Sequence, residues 1–134
     1  YPNPEKVVIV PTSTLGEVVK VKAPGVLIEV AFHDNIEDAN WIKNNTQAIA
    51  RAIALSLTEF FDIPLIPPQP IRMGTVHVRW GYLNVREKPS LTAPVIGKLY
   101  QGQRVEILGQ WQDWYVVRRG DLVGYANAAF LSVV

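Results

Sequence analysis

The chain has 134 residues, of which 49% are apolar and 19% charged, and this composition is that of a folded globular protein with one or two domains. It contains no cysteine, which excludes disulfides, zinc fingers and thiol nucleophiles. No apolar run reaches the ~18 residues that a membrane-spanning helix requires, and no signal peptide is visible.

The formal net charge of +1 conceals an asymmetry along the chain. Residues 1–64 hold five Lys/Arg against eight Asp/Glu, whereas residues 65–134 hold eight Lys/Arg against four Asp/Glu. Such a change of sign predicts two units with different partners. The chain opens with Tyr1-Pro2-Asn3-Pro4 and lacks an initial Met, which favours a processed product or a fragment.

The first unit, residues 1–63, is predicted to contain two strands followed by helix. The strands are expected at residues 7–10 and 26–32, and Asp34 or Asn35 caps the helix that follows. Residues 44–46 (Asn-Asn-Thr) are expected to divide this helix into a short and a long part. Two strands and a helix pair cannot cover both faces of a buried strand, so we expect an α/β fragment of a larger domain.

Glu29 stands alone in the middle of the apolar run at residues 26–32. Burying a carboxylate costs several kcal/mol unless the group is paired, bound to a metal or used in chemistry. A structural ion pair and a catalytic role are both open on this pattern.

Residues 64–72 are predicted to form a proline-rich linker, because four prolines between positions 64 and 70 remove backbone donors. Residues 73–134 are predicted to form a small all-β barrel. Its strands are expected at residues 75–79, 82–86, 94–99, 104–109, 114–118 and 122–126.

Two family resemblances follow from these residues. The stretch from Ala23 to Asn35, with Glu37 and Asp38 after it, resembles the C-terminal part of zinc-dependent N-acetylmuramoyl-L-alanine amidases. The run Leu83-Asn84-Val85-Arg86, with Gly102, Trp114-Tyr115, Gly124-Tyr125 and Phe130-Leu131 after it, resembles bacterial SH3-type wall-binding domains. The resemblance therefore implies a hydrolase of the bacterial wall followed by a targeting domain.

The amidase resemblance implies that Glu29 is the general base that acts on a zinc-held water in an intact parent enzyme. The family's two His and one Glu ligands lie upstream of this stretch. This chain has only His33 and His77, on different units, and Glu29 and His33 lie too far apart on a strand to share one ion. We therefore expect no zinc in this chain and no amidase activity from it alone.

The second unit carries the candidate ligand-binding residues. Trp114 and Tyr125 fall at positions that the SH3-type pattern buries. Trp80, Tyr82 and Trp111 lie at turns or strand ends, and together with Arg86 they are the candidates for contact with the cell-wall polymer. Packing within the barrel is the alternative for each aromatic residue.

The expected partner is peptidoglycan, with a homodimer through the exposed face of the truncated first unit. Nucleic acid is disfavoured because acidic residues interrupt the basic ones, and no membrane is expected. The alternative to a hydrolase fragment is a non-catalytic wall-binding protein with a degenerate amidase remnant. Either interpretation predicts a secreted protein of the cell wall, and a spore or phage lysis setting is equally open.

Overall fold

A computed structural model describes residue 5 and residues 7–134. It divides into two compact units, Tyr1–Thr46 and Gln47–Val134, and the boundary falls inside a helix. The opening residues 1–4, on which the prediction of a processed start rests, lie outside the described part. Within that part, no helix combines the length and the apolar character that crossing a bilayer requires.

Two helices precede the sheet in the described residues, α1 (Gly16–Val19) and α2 (Ile36–Phe61). Helix α2 begins where its capping residues predict. The Asn35 side-chain oxygen accepts hydrogen bonds from the backbone N–H groups of Glu37, at 2.9 Å, and Asp38, at 3.2 Å. These bonds satisfy two of the donors that a helix leaves unpaired at its start, and the two acidic residues favour its positive end.

The predicted break at residues 44–46 is wrong, since α2 is continuous through them. The polar side chains bond back to the helix itself. The Asn45 amide donates to the Trp41 carbonyl at 2.8 Å, and the Thr46 hydroxyl donates to the Ile42 carbonyl at 2.9 Å. Because each side chain finds an acceptor one turn earlier, neither competes with the helical hydrogen bonds.

The two strands predicted for the first unit are also wrong. Residues 7–10 and 24–32 have no regular secondary structure, and no strand precedes Arg72 in the described residues. A strand exists only when its backbone N–H and C=O groups pair with a neighbouring strand, and the described part of this unit supplies none. The strand-strand-helix fragment is therefore a helical unit with irregular apolar segments.

The second unit contains a seven-stranded antiparallel sheet in the described residues. Its strands are β1 (Arg72–Val76), β2 (Tyr82–Arg86), β3 (Val95–Tyr100), β4 (Arg104–Trp111), β5 (Trp114–Arg119), β6 (Leu122–Asn127) and β7 (Leu131–Val133). The all-β prediction is confirmed, with two differences. The first strand begins three residues earlier than predicted, and β7, which follows a 3₁₀ turn and pairs with β1, was not predicted.

The strands follow the order β3-β2-β6-β5-β4-β1-β7 across the sheet. All seven contribute to one apolar core, which comprises Val76, Leu83, Val85, Leu99, Val105, Ile107, Val117, Ala126 and Leu131. Strands at opposite ends of a flat sheet could not share a core, so this sheet curls around its own apolar face. The loops between its strands are then free to build a groove on the outside.

Candidate functional site

A groove of about 610 Å³ lies on the surface of the curled sheet, and we call it the aromatic groove. It is formed by the β1–β2 loop, the outer face of β2 and the segment between β6 and β7. Its lining comprises His77, Val78, Arg79, Trp80, Tyr82, Leu83, Asn84, Arg86, Leu91, Trp114, Asn127, Ala129 and Phe130. Four aromatic rings and two arginines therefore meet there, and no carboxylate is part of the lining.

Hydrogen bonds from its backbone attach the β1–β2 loop to neighbouring segments of the sheet. The His77 N–H donates to the Phe130 carbonyl at 2.8 Å, and the Val78 N–H donates to the Gln101 side-chain oxygen at 2.6 Å. The chain then enters β2 through Gly81, whose φ of +69° favours glycine. This turn leaves the Trp80 ring 90% exposed at the edge of the groove.

Strand β2 places its polar side chains on the groove because successive residues point to opposite faces. Leu83 and Val85 are buried in the core, while Tyr82, Asn84 and Arg86 alternate with them and are more accessible. The Arg86 guanidinium donates a hydrogen bond to the Ala93 carbonyl at 2.7 Å. This bond fixes the arginine beside the groove.

The Tyr82 ring is positioned from strand β3. The Lys98 Nζ lies 4.0 Å from its centroid, and the Tyr100 ring meets it edge to face with centroids 6.2 Å apart. Cation–π and edge-to-face contacts each favour a defined ring orientation. These contacts therefore fix the orientation of the Tyr82 ring at the side of the aromatic groove.

Three of the four residues predicted to bind ligand line this one groove, namely Trp80, Tyr82 and Arg86. The fourth, Trp111, lines a second groove instead. Trp114 and Tyr125 are buried at 8% and 7% exposure, as the SH3-type pattern predicted.

Sequence reasoning missed several residues of the aromatic groove. Asn84 could have been found, because the two-residue period of a strand places it on the same face as Tyr82 and Arg86. Asn127 and Phe130 come from the far end of the chain, where β6 turns into β7. No local signal connects them with the β1–β2 loop, and only the fold brings them together.

The second groove, which we call the linker groove, has a volume of about 580 Å³. It is lined by Thr58, Glu59, Asp62, Ile63, Pro64, Lys88, Pro89, Ser90 and Trp111. The Lys88 ammonium forms an ion pair with the Asp62 carboxylate at 2.8 Å. The hydrogen bond from this lysine, aided by its positive charge, holds the pKa of Asp62 below its ordinary value.

Residues 63–71 have no regular structure and lead directly into β1 at Arg72, so they occupy most of the predicted linker. Positions 63–66 are nevertheless half-buried. A side chain at Gly109 would approach Ile66 to 2.7 Å, which shows that the linker packs closely over strand β4. This start of the linker therefore rests against the sheet and does not extend freely from it.

The predicted catalytic residue and the two histidines are divided between the two units, with Glu29 and His33 in the first and His77 in the second. Glu29 lies exposed in an irregular segment of the first unit, so the prediction that it sits in a buried strand is wrong. His77 lines the aromatic groove of the second unit. Among the residues that the structure describes, no three His, Cys, Asp or Glu side chains come together in a group able to hold a metal ion, and these residues do not fit a zinc site.

Comparison with known proteins identifies the second unit more closely. The family model of the bacterial SH3 domain matches residues 81–132. These residues form a bacterial SH3 domain. The matched region covers strands β2–β6 and part of β7, and it confirms the SH3-type resemblance of this part of the chain. It leaves residues 7–62, which carry the amidase resemblance, outside the match.

A relative also shares part of this sequence. Over 53 residues the chain is 38% identical to bacteriocin BCN5 of Clostridium perfringens. The shared stretch makes up 40% of this chain and 6% of that protein. The chain therefore spans only a small fraction of the length of this relative.

Proposed function

We propose that the SH3 domain is a cell-wall-binding module that holds peptidoglycan in the aromatic groove. The observation that carries this proposal is the convergence of Trp80, Tyr82 and Arg86 on one open groove. Exposed aromatic faces stack on sugar rings and on peptide backbone, and the half-buried arginine can anchor a polar group. The excess of basic residues after position 64 would draw the module toward an anionic wall.

The exposure of Trp80 is the strongest part of this argument. A tryptophan that is 90% exposed contributes almost nothing to the core, yet it keeps a large apolar surface in water. Contact with a ligand would remove that surface from water. The similarity to a protein named a bacteriocin supports a place outside the cell or at the cell wall for this chain.

A hydrolase is the second candidate, and it concerns a longer protein that would also supply a zinc-binding set. It is supported by the order of the motif from Ala23 to Asp38, including the Asn35 cap that the structure contains. In such a protein Glu29 would act as the general base.

Sedimentation of the full chain with purified bacterial cell walls tests the binding proposal. We expect the unchanged protein to pellet with the walls, and less so at high salt because the charge attraction is screened. Trp80→Ala should weaken this binding by roughly twofold to tenfold, since an aromatic contact contributes about 0.5–1.5 kcal/mol. Its exposure means that this variant should remain folded.

Trp111→Ala is the matched control, because it removes a tryptophan from the linker groove instead. It should retain the wall binding of the unchanged protein. Equal amounts of protein in the supernatant with and without walls would refute the wall-binding function. Equal loss in both variants would refute the assignment of binding to the aromatic groove.

A further inference from the structure

The lining of the aromatic groove is charged with one sign only. Its basic members are His77, Arg79 and Arg86, and neither Asp nor Glu is among its residues. In the same unit Lys88 pairs with Asp62, and Arg118 pairs with Glu106. Among the described residues, Arg79 and Arg86 form no ion pair with a carboxylate. The groove therefore combines aromatic surface with uncompensated positive charge.

Arg86 is suited to bind a planar anion. It is half-buried, and its hydrogen bond to the Ala93 carbonyl uses one of the five N–H donors of a guanidinium. The remaining donors can bind a carboxylate through two parallel hydrogen bonds. Because the Ala93 contact already restrains the side chain, less conformational entropy is lost when such a ligand binds.

The groove also offers groups that match a peptide. The Asn127 side-chain oxygen accepts a hydrogen bond from the Ala129 N–H at 3.0 Å, which leaves its NH₂ group as a donor. Asn84 adds a second amide, and the exposed Leu91 adds apolar surface. Amide donors and acceptors beside small apolar contacts suit a short peptide better than a polyphosphate, which would require a continuous cationic track.

We propose that the aromatic groove selects peptides of the wall by their free C-terminal carboxylate, which Arg86 binds and which the positive charge of Arg79, elsewhere in the same lining, attracts. The inference rests on the proposed wall-binding function and deepens it. The requirement for a free carboxylate would distinguish among wall peptides, because a peptide whose terminal carboxylate is consumed in a cross-link no longer presents the anion. The module would accordingly prefer wall regions with few cross-links.

Titration of the full chain with a pair of synthetic peptides tests this selection. The probes are N-acetyl-Lys-D-Ala-D-Ala as the free acid and the same peptide with a C-terminal amide. The change in total tryptophan fluorescence, to which Trp80 and Trp114 in the groove contribute, reports binding. We expect the free acid to bind at least tenfold more tightly than the amide. Arg79→Gln and Arg86→Gln should each reduce this preference, and Arg79→Gln removes no described hydrogen bond, so it separates ligand binding from folding.

Arg104→Gln is the matched control, because Arg104 is an exposed arginine on β4 outside the groove lining. It should retain the preference for the free acid. Glycerol phosphate is the third probe, and competition by it at the concentration of the peptide would overturn the peptide assignment in favour of a wall phosphate. Equal affinity for acid and amide in a protein that still pellets with walls would overturn this inference alone, whereas loss of pelleting would refute the proposed function.

Discussion

Two stretches of this chain, residues 26–32 and strand β4, each place one glutamate among strand-forming residues, yet they have different structures. Residues 26–32 (VLIEVAF) carry more strand-forming residues than β4 does, yet they are irregular and their large apolar side chains are exposed. Strand β4 alternates buried and accessible residues over most of its length and pairs with β1 on one side and β5 on the other. Backbone pairing partners, more than intrinsic propensity, therefore decide whether a strand forms.

The acidic residues of the two stretches show the same contrast. Glu106 in β4 is half-buried and forms an ion pair with Arg118 on the neighbouring strand β5. Glu29 is exposed and has no ion pair among the described residues. The apolar surface around Glu29 is the face through which we expect a homodimer, and that expectation stays a prediction that sedimentation velocity across a range of concentrations would test.

The two stretches should differ most in how much their isoleucine side chains contribute to the free energy of unfolding. Ile107 in β4 is 1% exposed, whereas Ile28 in the irregular stretch is 56% exposed. Ile107→Ala should lower the free energy of unfolding by about 2–5 kcal/mol, because it removes buried apolar volume and leaves a cavity. Ile28→Ala should change it by no more than about 0.5 kcal/mol.

Denaturant unfolding followed by tryptophan fluorescence measures both variants, since the buried Trp114 reports the integrity of the sheet. A loss of unfolding free energy from Ile28→Ala as large as that from Ile107→Ala would show that residues 26–32 contribute to a core, contrary to this expectation.

The sheet was largely predictable from sequence, and the reason is local. Its strands alternate apolar and polar residues, and turns such as the one at Gly102 separate them clearly. Strand β7 escaped prediction because it has only three residues, Leu131–Val133, and is defined by its pairing with β1. Pairing partners far away in sequence leave no mark on a segment that short.

The first unit was predicted less well because each error required knowledge of distant partners or of side-chain bonding. The run around Glu29 has strand composition, but no strand is adjacent to it in the described residues. Asn45 and Thr46 are poor helix formers, yet both bond back to carbonyls one turn earlier. The candidate site was predicted in part. Trp80, Tyr82 and Arg86 are close in sequence and line the aromatic groove, whereas Trp111 lines the linker groove.

The Asn35 cap of helix α2 is a feature of the first unit that follows from local chemistry alone. Asn35→Ala removes the oxygen that accepts from the Glu37 and Asp38 N–H groups. It should destabilise the start of helix α2 by about 1 kcal/mol. Circular dichroism at 222 nm during thermal unfolding would record a lower helical signal.

Asn44→Ala is the matched control, because Asn44 lies exposed within the helix and has no capping role. Alanine has the higher helix propensity, so this variant should preserve or slightly raise the helical signal. A loss of signal in Asn44→Ala as large as that in Asn35→Ala would contradict the capping assignment.

Of the features compared, the ion pair of Glu106 should have the smallest effect on stability, and that effect should depend on pH. The hydrogen bond from Arg118, with a smaller contribution from its charge, holds the pKa of Glu106 below its ordinary value. A carboxyl whose pKa is lower in the folded protein than in the unfolded chain stabilises the fold above the unfolded pKa, near pH ~4.3. That contribution is lost as pH falls from there through the folded pKa. The pair is open to solvent, so the effect is small and salt-sensitive.

Glu106→Gln should therefore lose part of the acid dependence of stability that the unchanged protein shows below pH ~4.3, and added salt should shrink the difference between them. Glu29→Gln removes an exposed carboxylate with no described ion pair and serves as the control for the loss of one negative charge. Denaturant midpoints measured from pH 7 to pH 3 at two salt concentrations give the comparison. A Glu106→Gln profile that coincides with that of the unchanged protein at both salt concentrations would show that the ion pair in β4 adds nothing to the fold, and the contrast between the two stretches would then rest on apolar burial and backbone pairing alone.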